Sequence, residues 1–108
     1  MKVALLGYGK MGKEIESVLH ERGHSVDHIL NSKGQQKGGH LSEMDVAIEF
    51  STPASVIDNI NACFDVSIPI ITGTTGWDKN LESITKKCTE SNNTLFYASN
   101  FSVGVNIF

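Results

Sequence analysis

Apolar and polar positions change period several times along the chain, and each change marks an element. Val3-Ala4-Leu5-Leu6 is a short apolar run that opens directly into glycines. From residue 10 the spacing turns helical: Met11, Ile15, Val18 and Leu19 stand at i, i+4, i+7 and i+8, one stripe fit to lie on a sheet. This predicts a helix over residues 10–22, stopped by Gly23. Residues 25–30 read as a second strand, with Val26, His28 and Leu30 on one face and Ile29 on the other, between the turn formers Gly23 and Asn31.

Residues 31–44 are polar and glycine-rich and read as a mobile surface connection. Asp45-Val46-Ala47-Ile48-Glu49-Phe50 is a largely apolar third strand of the kind a sheet covered on both faces requires. In Ser51-Thr52-Pro53 a hydroxyl at the N-cap and proline at the first helical position predict a helix start. That helix carries Val56, Ile57, Ile60, Cys63 and Phe64 on one face. Residues 67–72 form a fourth strand, with Pro69 marking its start or an edge position. Gly73-Thr74-Thr75-Gly76 is a second glycine-bracketed turn, and a helix from Trp77 or Asp78 follows with Leu81, Ile84 and Cys88 inward. Ser91-Asn92-Asn93 ends it, residues 94–98 are a fifth strand, and residues 99–108 are apolar without a turn signal.

The order β-α-β-loop-β-α-β-α-β with short connections predicts an α/β fold: a Rossmann-type, doubly wound parallel sheet in a single three-layer domain spanning residues 1–108. In such sheets ligands bind beyond the carboxyl ends of the strands. The turns after the strands should therefore line one rim.

Composition narrows the function classes. A chain of 108 residues with 40% hydrophobic and 19% charged residues is ordinary for one globular domain. No apolar run approaches bilayer length, and Met1-Lys2 leads straight into the first strand, so the expectation is a cytoplasmic protein with no membrane partner. A net charge of −3 gives no general pull toward nucleic acid. Cys63 and Cys88 stand 25 positions apart, form no CxxC pair, and read as small apolar core residues. His20, His24 and His28 would share one face of a continuous helix, but Gly23 breaks it; they read as solvated or half-buried histidines at element ends, not as a metal site. His40 is isolated in a glycine-rich loop.

The chemistry concentrates at the strand ends. In Gly7-Tyr8-Gly9-Lys10-Met11-Gly12, each glycine has its own reason: Gly7 for the tight turn, Gly9 for close approach to a pyrophosphate, Gly12 for helix–strand packing. The following helix offers N–H groups to an anion. A dinucleotide domain usually has an acid about 20 residues on, for the ribose 2′-hydroxyl. Nineteen residues beyond Gly12 stands Asn31, followed by Ser32 and Lys33; these can donate to a 2′-phosphate or serve simply as turn formers and a solvated charge. Glu49 reads as a buried acid, held by nearby backbone N–H groups as an anchor or carrying a functional pKa. Thr74 and Thr75 offer hydroxyls, and Trp77 is a packing residue. Paired carboxylates, a nucleophile beside a base and a metal cluster are all missing, so no catalytic residue is assigned.

Four segments together resemble one family. The glycine turn at 7–12, Asp45-Val46-Ala47-Ile48-Glu49-Phe50-Ser51, Gly73-Thr74-Thr75-Gly76 and Ala98-Ser99-Asn100-Phe101-Ser102-Val103-Gly104-Val105-Asn106 are similar in order and spacing to the N-terminal half of dihydrodipicolinate reductase. The resemblance implies an enzyme of lysine and diaminopimelate biosynthesis that passes hydride from NADPH or NADH to a cyclic dicarboxylate. It implies that Gly7 to Gly12 hold the pyrophosphate and that Asn31 with Ser32 or Lys33 meets the adenosine ribose or its phosphate. Phe50 and Ser51 would then lie near the adenosine half, Gly73, Thr74 and Thr75 beside the nicotinamide ribose, and Ala98, Ser99, Asn100 and Phe101 beside the nicotinamide. The family continues past the position of Phe108 into a substrate and tetramer-forming domain, which supplies the acid and the dicarboxylate contacts; the expectation for this chain alone is cofactor binding without turnover. Two other readings stay open: a regulatory nucleotide-sensing module and, less well matched without a ribose-binding acid, an S-adenosylmethionine methyltransferase.

Overall fold

The computed structural model describes the backbone of residues 1–100 and 105–107 and the side chains of residues 1–98. In chain order the elements are β1 (Lys2–Leu6), α1 (Lys10–Glu21), β2 (Ser25–Leu30), β3 (Gln36–Gly38), β4 (Val46–Glu49), α2 (Val56–Asp65), β5 (Ile70–Thr72), α3 (Leu81–Glu90), β6 (Leu95–Asn100) and β7 (Val105–Ile107). They form one sheet in the order β3-β2-β1-β4-β5-β6-β7. The five central strands run parallel, as the alternation of strand and helix requires. Antiparallel strands β3 and β7 extend the two edges.

β3 falls inside the stretch expected to be a mobile loop. The side chain of Asn31 explains it: its Oδ1 accepts from the N–H groups of Lys33 and Gln35 at 3.0 and 2.9 Å, which turns the chain back along β2. Gly38, at φ +96, lies against β2 where a Cβ would stand 2.2 Å from the Asp27 carbonyl oxygen. The hairpin also buries His28, 4% exposed, whose Nδ1–H donates to the Gly39 carbonyl at 2.8 Å. His28 is thus a buried residue within a strand and not a half-buried one at an element end, because β3 supplies both cover and acceptor.

The apolar faces of α2 and α3 land where their spacing put them, but the stripe of α1 does not: Met11 and Val18 are exposed and Ile15 and Leu19 only half-buried, because α1 meets the turn after β1 through the buried Gly12. Val56, Ile60, Cys63 and Phe64 of α2 and Ile84 of α3 pack on Ala4, Leu6, Ala47, Ile70 and Tyr97 in one buried cluster. α1 lies over β1 and β2, α2 over β4 and β5. Winding from β1 to β2 and from β4 to β6 runs in opposite directions along the sheet, so right-handed crossovers place α1 on one face and α2 and α3 on the other. The result is three layers with a switch point between β1 and β4. On the α1 face Val46, Ile48 and Ile71 are only half-buried, since among the described residues α1 is the only α-helix there; β4 is apolar on both sides but fully covered on one.

α2 starts later than the hydroxyl–proline signal implies. Its N-cap is Ser55, and the Thr52 carbonyl accepts from the N–H groups of Ser55 and Val56 at 2.9 and 3.0 Å in the preceding turn. Thr52, the hydroxyl residue directly before Pro53, does not cap the helix with its side chain, since its Oγ1 donates to Ser55 Oγ at 3.2 Å, and the Ser51 hydroxyl is drawn to the Glu49 carboxylate.

Candidate functional site

Three glycines shape the crevice at the switch point, each by a different constraint. Gly7 has φ +104, donates its N–H to the Leu30 carbonyl at 2.8 Å, and lies so close to β4 that a Cβ there would be 2.0 Å from the Phe50 carbonyl oxygen. Gly12 is buried in the first turn of α1, where a Cβ would come 2.6 Å from the Gly7 carbonyl oxygen. Gly9, the exposed N-cap of α1, has nothing within 4 Å of its would-be Cβ. Packing therefore demands glycine at 7 and 12, while at 9 the demand can come only from something outside the chain. The N–H groups of Lys10, Met11 and Gly12 precede the first helical bond, made by Lys13 to the Gly9 carbonyl at 3.1 Å.

Two cavities meet at this turn. One of about 340 Å³ is lined by Gly7, Tyr8, Gly9, Leu30, Asn31, Ser32, Gly34, Phe50, Ser51, Thr52, Ser55 and Asn59. The other, about 350 Å³, is lined by Gly9, Lys10, Met11, Gly12, Phe50, Ser51, Pro53, Gly73, Thr74 and Thr75. Gly9, Phe50 and Ser51 belong to both, so the pair forms one trough along the rim.

The floor of the trough is polar and organised by Glu49, which is fully buried. Its Oε1 accepts from Thr72 Oγ1 at 2.7 Å and Thr74 Oγ1 at 2.6 Å; its Oε2 accepts from Asn59 Nδ2 at 3.1 Å and from Ser51 Oγ. A carboxylate is acceptor-only with about four lone-pair sites, so four donors satisfy it. Side chains, not the expected backbone N–H groups, hold it. Asn59 was not singled out from the sequence, yet it left a signal: an amide at a position flanked by Val56, Ile60 and Cys63 on an otherwise apolar helix face needs a buried partner.

The Gly-Thr-Thr-Gly turn is fixed by the same group. Thr74 Oγ1 donates to Glu49 and accepts the Ser51 N–H at 2.8 Å, and the Gly73 N–H donates to the Glu49 carbonyl at 2.9 Å. Beneath the turn Trp77 donates Nε1–H to the Thr74 carbonyl at 2.6 Å and packs on Tyr97 with ring centroids 4.7 Å apart. Thr74 is buried and its hydroxyl is committed inward, while Thr75 is exposed on the cavity wall.

Of the other sequence-assigned positions, Asn31 and Ser32 line the first cavity and Lys33 lines neither. Asn31 spends its Oδ1 on the hairpin and its Nδ2 on Gln35 Oε1 at 2.8 Å. Tyr8 donates its hydroxyl to Glu16 Oε1 at 2.5 Å, which with partial desolvation and the charge of Glu16 raises its pKa. Ala98 is buried near the end of β6, outside both cavities. Ser99 and Asn100 continue that strand in backbone only, and Phe101 lies outside the described residues. Among the described residues no three His, Cys, Asp or Glu side chains are grouped to hold a metal, and no helix is long and apolar enough to cross a membrane.

A family model described as "Dihydrodipicolinate reductase, N-terminus" matches residues 1–101. The chain belongs to the dihydrodipicolinate reductase family. It is 41% identical over 108 residues to the 4-hydroxy-tetrahydrodipicolinate reductase of Christiangramia forsetii, an alignment covering all of this chain and 45% of that protein. With the enzyme of the same name from Campylobacter jejuni it shares 33% identity over 106 residues, 97% of this chain and 43% of the other. The chain thus spans less than half the length of these curated relatives. Its fold matches the dipicolinate-bound dihydrodipicolinate reductase from Paenisporosarcina sp. TG-14 with a TM-score of 0.72 at 21% identity, over 95% of this chain and 48% of that one.

Proposed function

We propose that this chain is the nicotinamide-cofactor part of a 4-hydroxy-tetrahydrodipicolinate reductase, serving hydride transfer from NADPH or NADH to a cyclic dicarboxylate in lysine and diaminopimelate biosynthesis in the cytoplasm. One observation carries the reading: two cavities of similar volume joined at Gly9, Phe50 and Ser51, with an open glycine and a helix start at the joint. That is the shape a dinucleotide needs, one half-site for each nucleoside and a pyrophosphate between them.

Gly7, Tyr8, Gly9, Lys10, Met11 and Gly12 would hold the pyrophosphate. Phe50 and Ser51 would flank the adenosine half, with Asn31 and Ser32 at its ribose and Lys33 reaching a 2′-phosphate from the hairpin tip. Among the described residues none that lines the first cavity carries a carboxylate, which supports acceptance of that phosphate. Gly73, Thr74 and Thr75 would meet the nicotinamide ribose, and residues 98–101 would orient the ring. The bound cofactor supplies the hydride; the residues of this chain bind and aim it. The acid and the dicarboxylate contacts belong to the remaining half of the family's proteins, as does the tetramer.

Thermal unfolding with added NADPH or NADH tests the assignment. Ligand at about a hundredfold excess over Kd stabilises by about 2.7 kcal/mol, a Tm rise of roughly 10 °C in a domain this size. No shift with either dinucleotide, or a shift only with S-adenosylmethionine, sinks the reading. Turnover by these 108 residues alone would overturn the placement of substrate chemistry outside them.

A further inference from the structure

The two oxygens of the Glu49 carboxylate reach toward different parts of the trough. Oε2 holds Asn59, which lines the first cavity, and Ser51, on the wall the two cavities share; Oε1 holds Thr72 and Thr74, and Thr74 lines the second. A direct link closes the loop, from the Ser51 N–H to Thr74 Oγ1. We infer that Glu49 is a positioning residue that couples the two half-sites, so that the geometry of the second cavity sets ligand affinity in the first. The inference rests on the dinucleotide reading above.

The physical reason lies in the donor count. Each hydroxyl in the network has one proton, and both Ser51 and Thr74 give theirs to Glu49. Neither can rotate toward a ligand without leaving a carboxylate lone pair unmet in a fully buried place. A shift of the 73–76 turn therefore pulls on Glu49 and on the Ser51 N–H together, and through them on the shared wall of the first cavity. Neighbours in one hydrogen-bonded network are where mutational effects fail to add.

The test uses a residue with no part in the first cavity. Thr74→Val keeps the shape of the side chain and removes the hydroxyl; Thr74→Ser keeps the hydroxyl. AMP probes the first cavity and NADPH the whole trough, each by calorimetric titration well below the variant's Tm. The expected result is that Thr74→Val weakens AMP at least fivefold while Thr74→Ser stays within twofold of the parent chain. Glu49→Gln, which replaces one acceptor oxygen by a donor, should weaken AMP as Thr74→Val does; the threonine pair decides if that variant does not fold. AMP affinity unchanged in Thr74→Val, with only NADPH binding or Tm reduced, would overturn the coupling. So would Thr74→Ser failing as badly as Thr74→Val. If the parent chain binds neither AMP nor NADPH, it is the dinucleotide reading itself that falls.

Discussion

The carbonyl oxygen of Phe50 stands 2.0 Å from the point a side-chain carbon at Gly7 would occupy. The turns leaving β1 and β4, strands that are neighbours in the sheet but separated in sequence by α1, β2 and β3, thus meet backbone to backbone at the crevice. Two residues on, Gly9 faces open space.

That contrast separates folding from binding. Gly7→Ala must move β4 and adopt a positive φ, so it should destabilise the chain by about 3 kcal/mol or more and lower its Tm sharply. Gly9→Ala meets no atom of the protein and should change stability by less than about 1 kcal/mol. Its added methyl would nevertheless stand where the pyrophosphate approaches, so NADPH should bind at least about tenfold more weakly, about 1.4 kcal/mol. Gly9→Ala with undiminished NADPH affinity would remove the pyrophosphate from this turn.

These glycines were legible from sequence because a turn between a strand and a helix imposes the same sterics wherever it occurs. The five parallel strands and the faces of α2 and α3 were legible for a similar reason: Val56, Ile60, Cys63 and Phe64 declare a period, and a period declares a face; the stripe of α1 declared one too, yet Met11 and Val18 are exposed. The edge strands were not legible. β3 depends on the Asn31 side chain bonding two N–H groups up to four residues away, a local geometry that the composition of residues 31–44 conceals. The start of α2 was hidden because residues 53–55 form a turn on the Thr52 carbonyl before the helix begins, and Thr52 gives its hydroxyl to Ser55. The pull on Ser51 is likewise visible only in the assembled site, where Thr72 and Thr74 converge with it on Glu49. The turn glycines follow the first kind of signal, and the network beneath them the second.

Asn31 and Lys33 stand two positions apart but should fail in different ways. Asn31→Ala removes the acceptor of two hairpin N–H groups, and should cost about 1–2 kcal/mol and speed amide exchange across residues 35–38. Lys33 is exposed, and its backbone N–H, not its side chain, serves the hairpin. Lys33→Glu should therefore leave Tm nearly unchanged while weakening NADPH more than NADH, by about tenfold at low salt and less at high salt. Equal effects on both dinucleotides would show that Lys33 does not read the 2′-phosphate.

Trp77 is the only tryptophan of the chain and sits directly under Thr74. A dihydronicotinamide seated by the 73–76 turn should drain its fluorescence by energy transfer, whereas AMP, without that ring, should not. Trp77→Phe retains a ring against Tyr97 but leaves the buried Thr74 carbonyl without its 2.6 Å donor. The expected loss is about 2–3 kcal/mol of stability, with NADPH bound more weakly than the change in Tm explains. Tryptophan emission indifferent to saturating NADPH would place the nicotinamide elsewhere.

Cys63 gives the chain a high-pH liability and a chemical clock. The thiol is fully buried in α2, and desolvation, with the Glu49 charge adding to it, pushes its pKa from 9.0 up to about 12. Because the folded value is the higher one, the folded state holds the proton more tightly than the unfolded state between those limits. The stability this contributes is complete below pH 9 and lost as pH rises toward 12, with a slope for this one thiol approaching about 1.4 kcal/mol per pH unit. Denaturant titrations at pH 8, 9.5 and 10.5 should show that fall, and Cys63→Ala should make it shallower, leaving the part that the raised pKa values of Cys88, Tyr8 and Tyr97 contribute with the same sign, even though the smaller side chain lowers stability at every pH. At pH 8 the folded thiol would be thiolate in only about one molecule in 10⁴. Iodoacetamide should accordingly modify the half-buried Cys88 first, and reach Cys63 only at the rate at which the chain unfolds. Rapid alkylation of Cys63 in the native chain would mean that α2 does not seal the sheet as its apolar face implies.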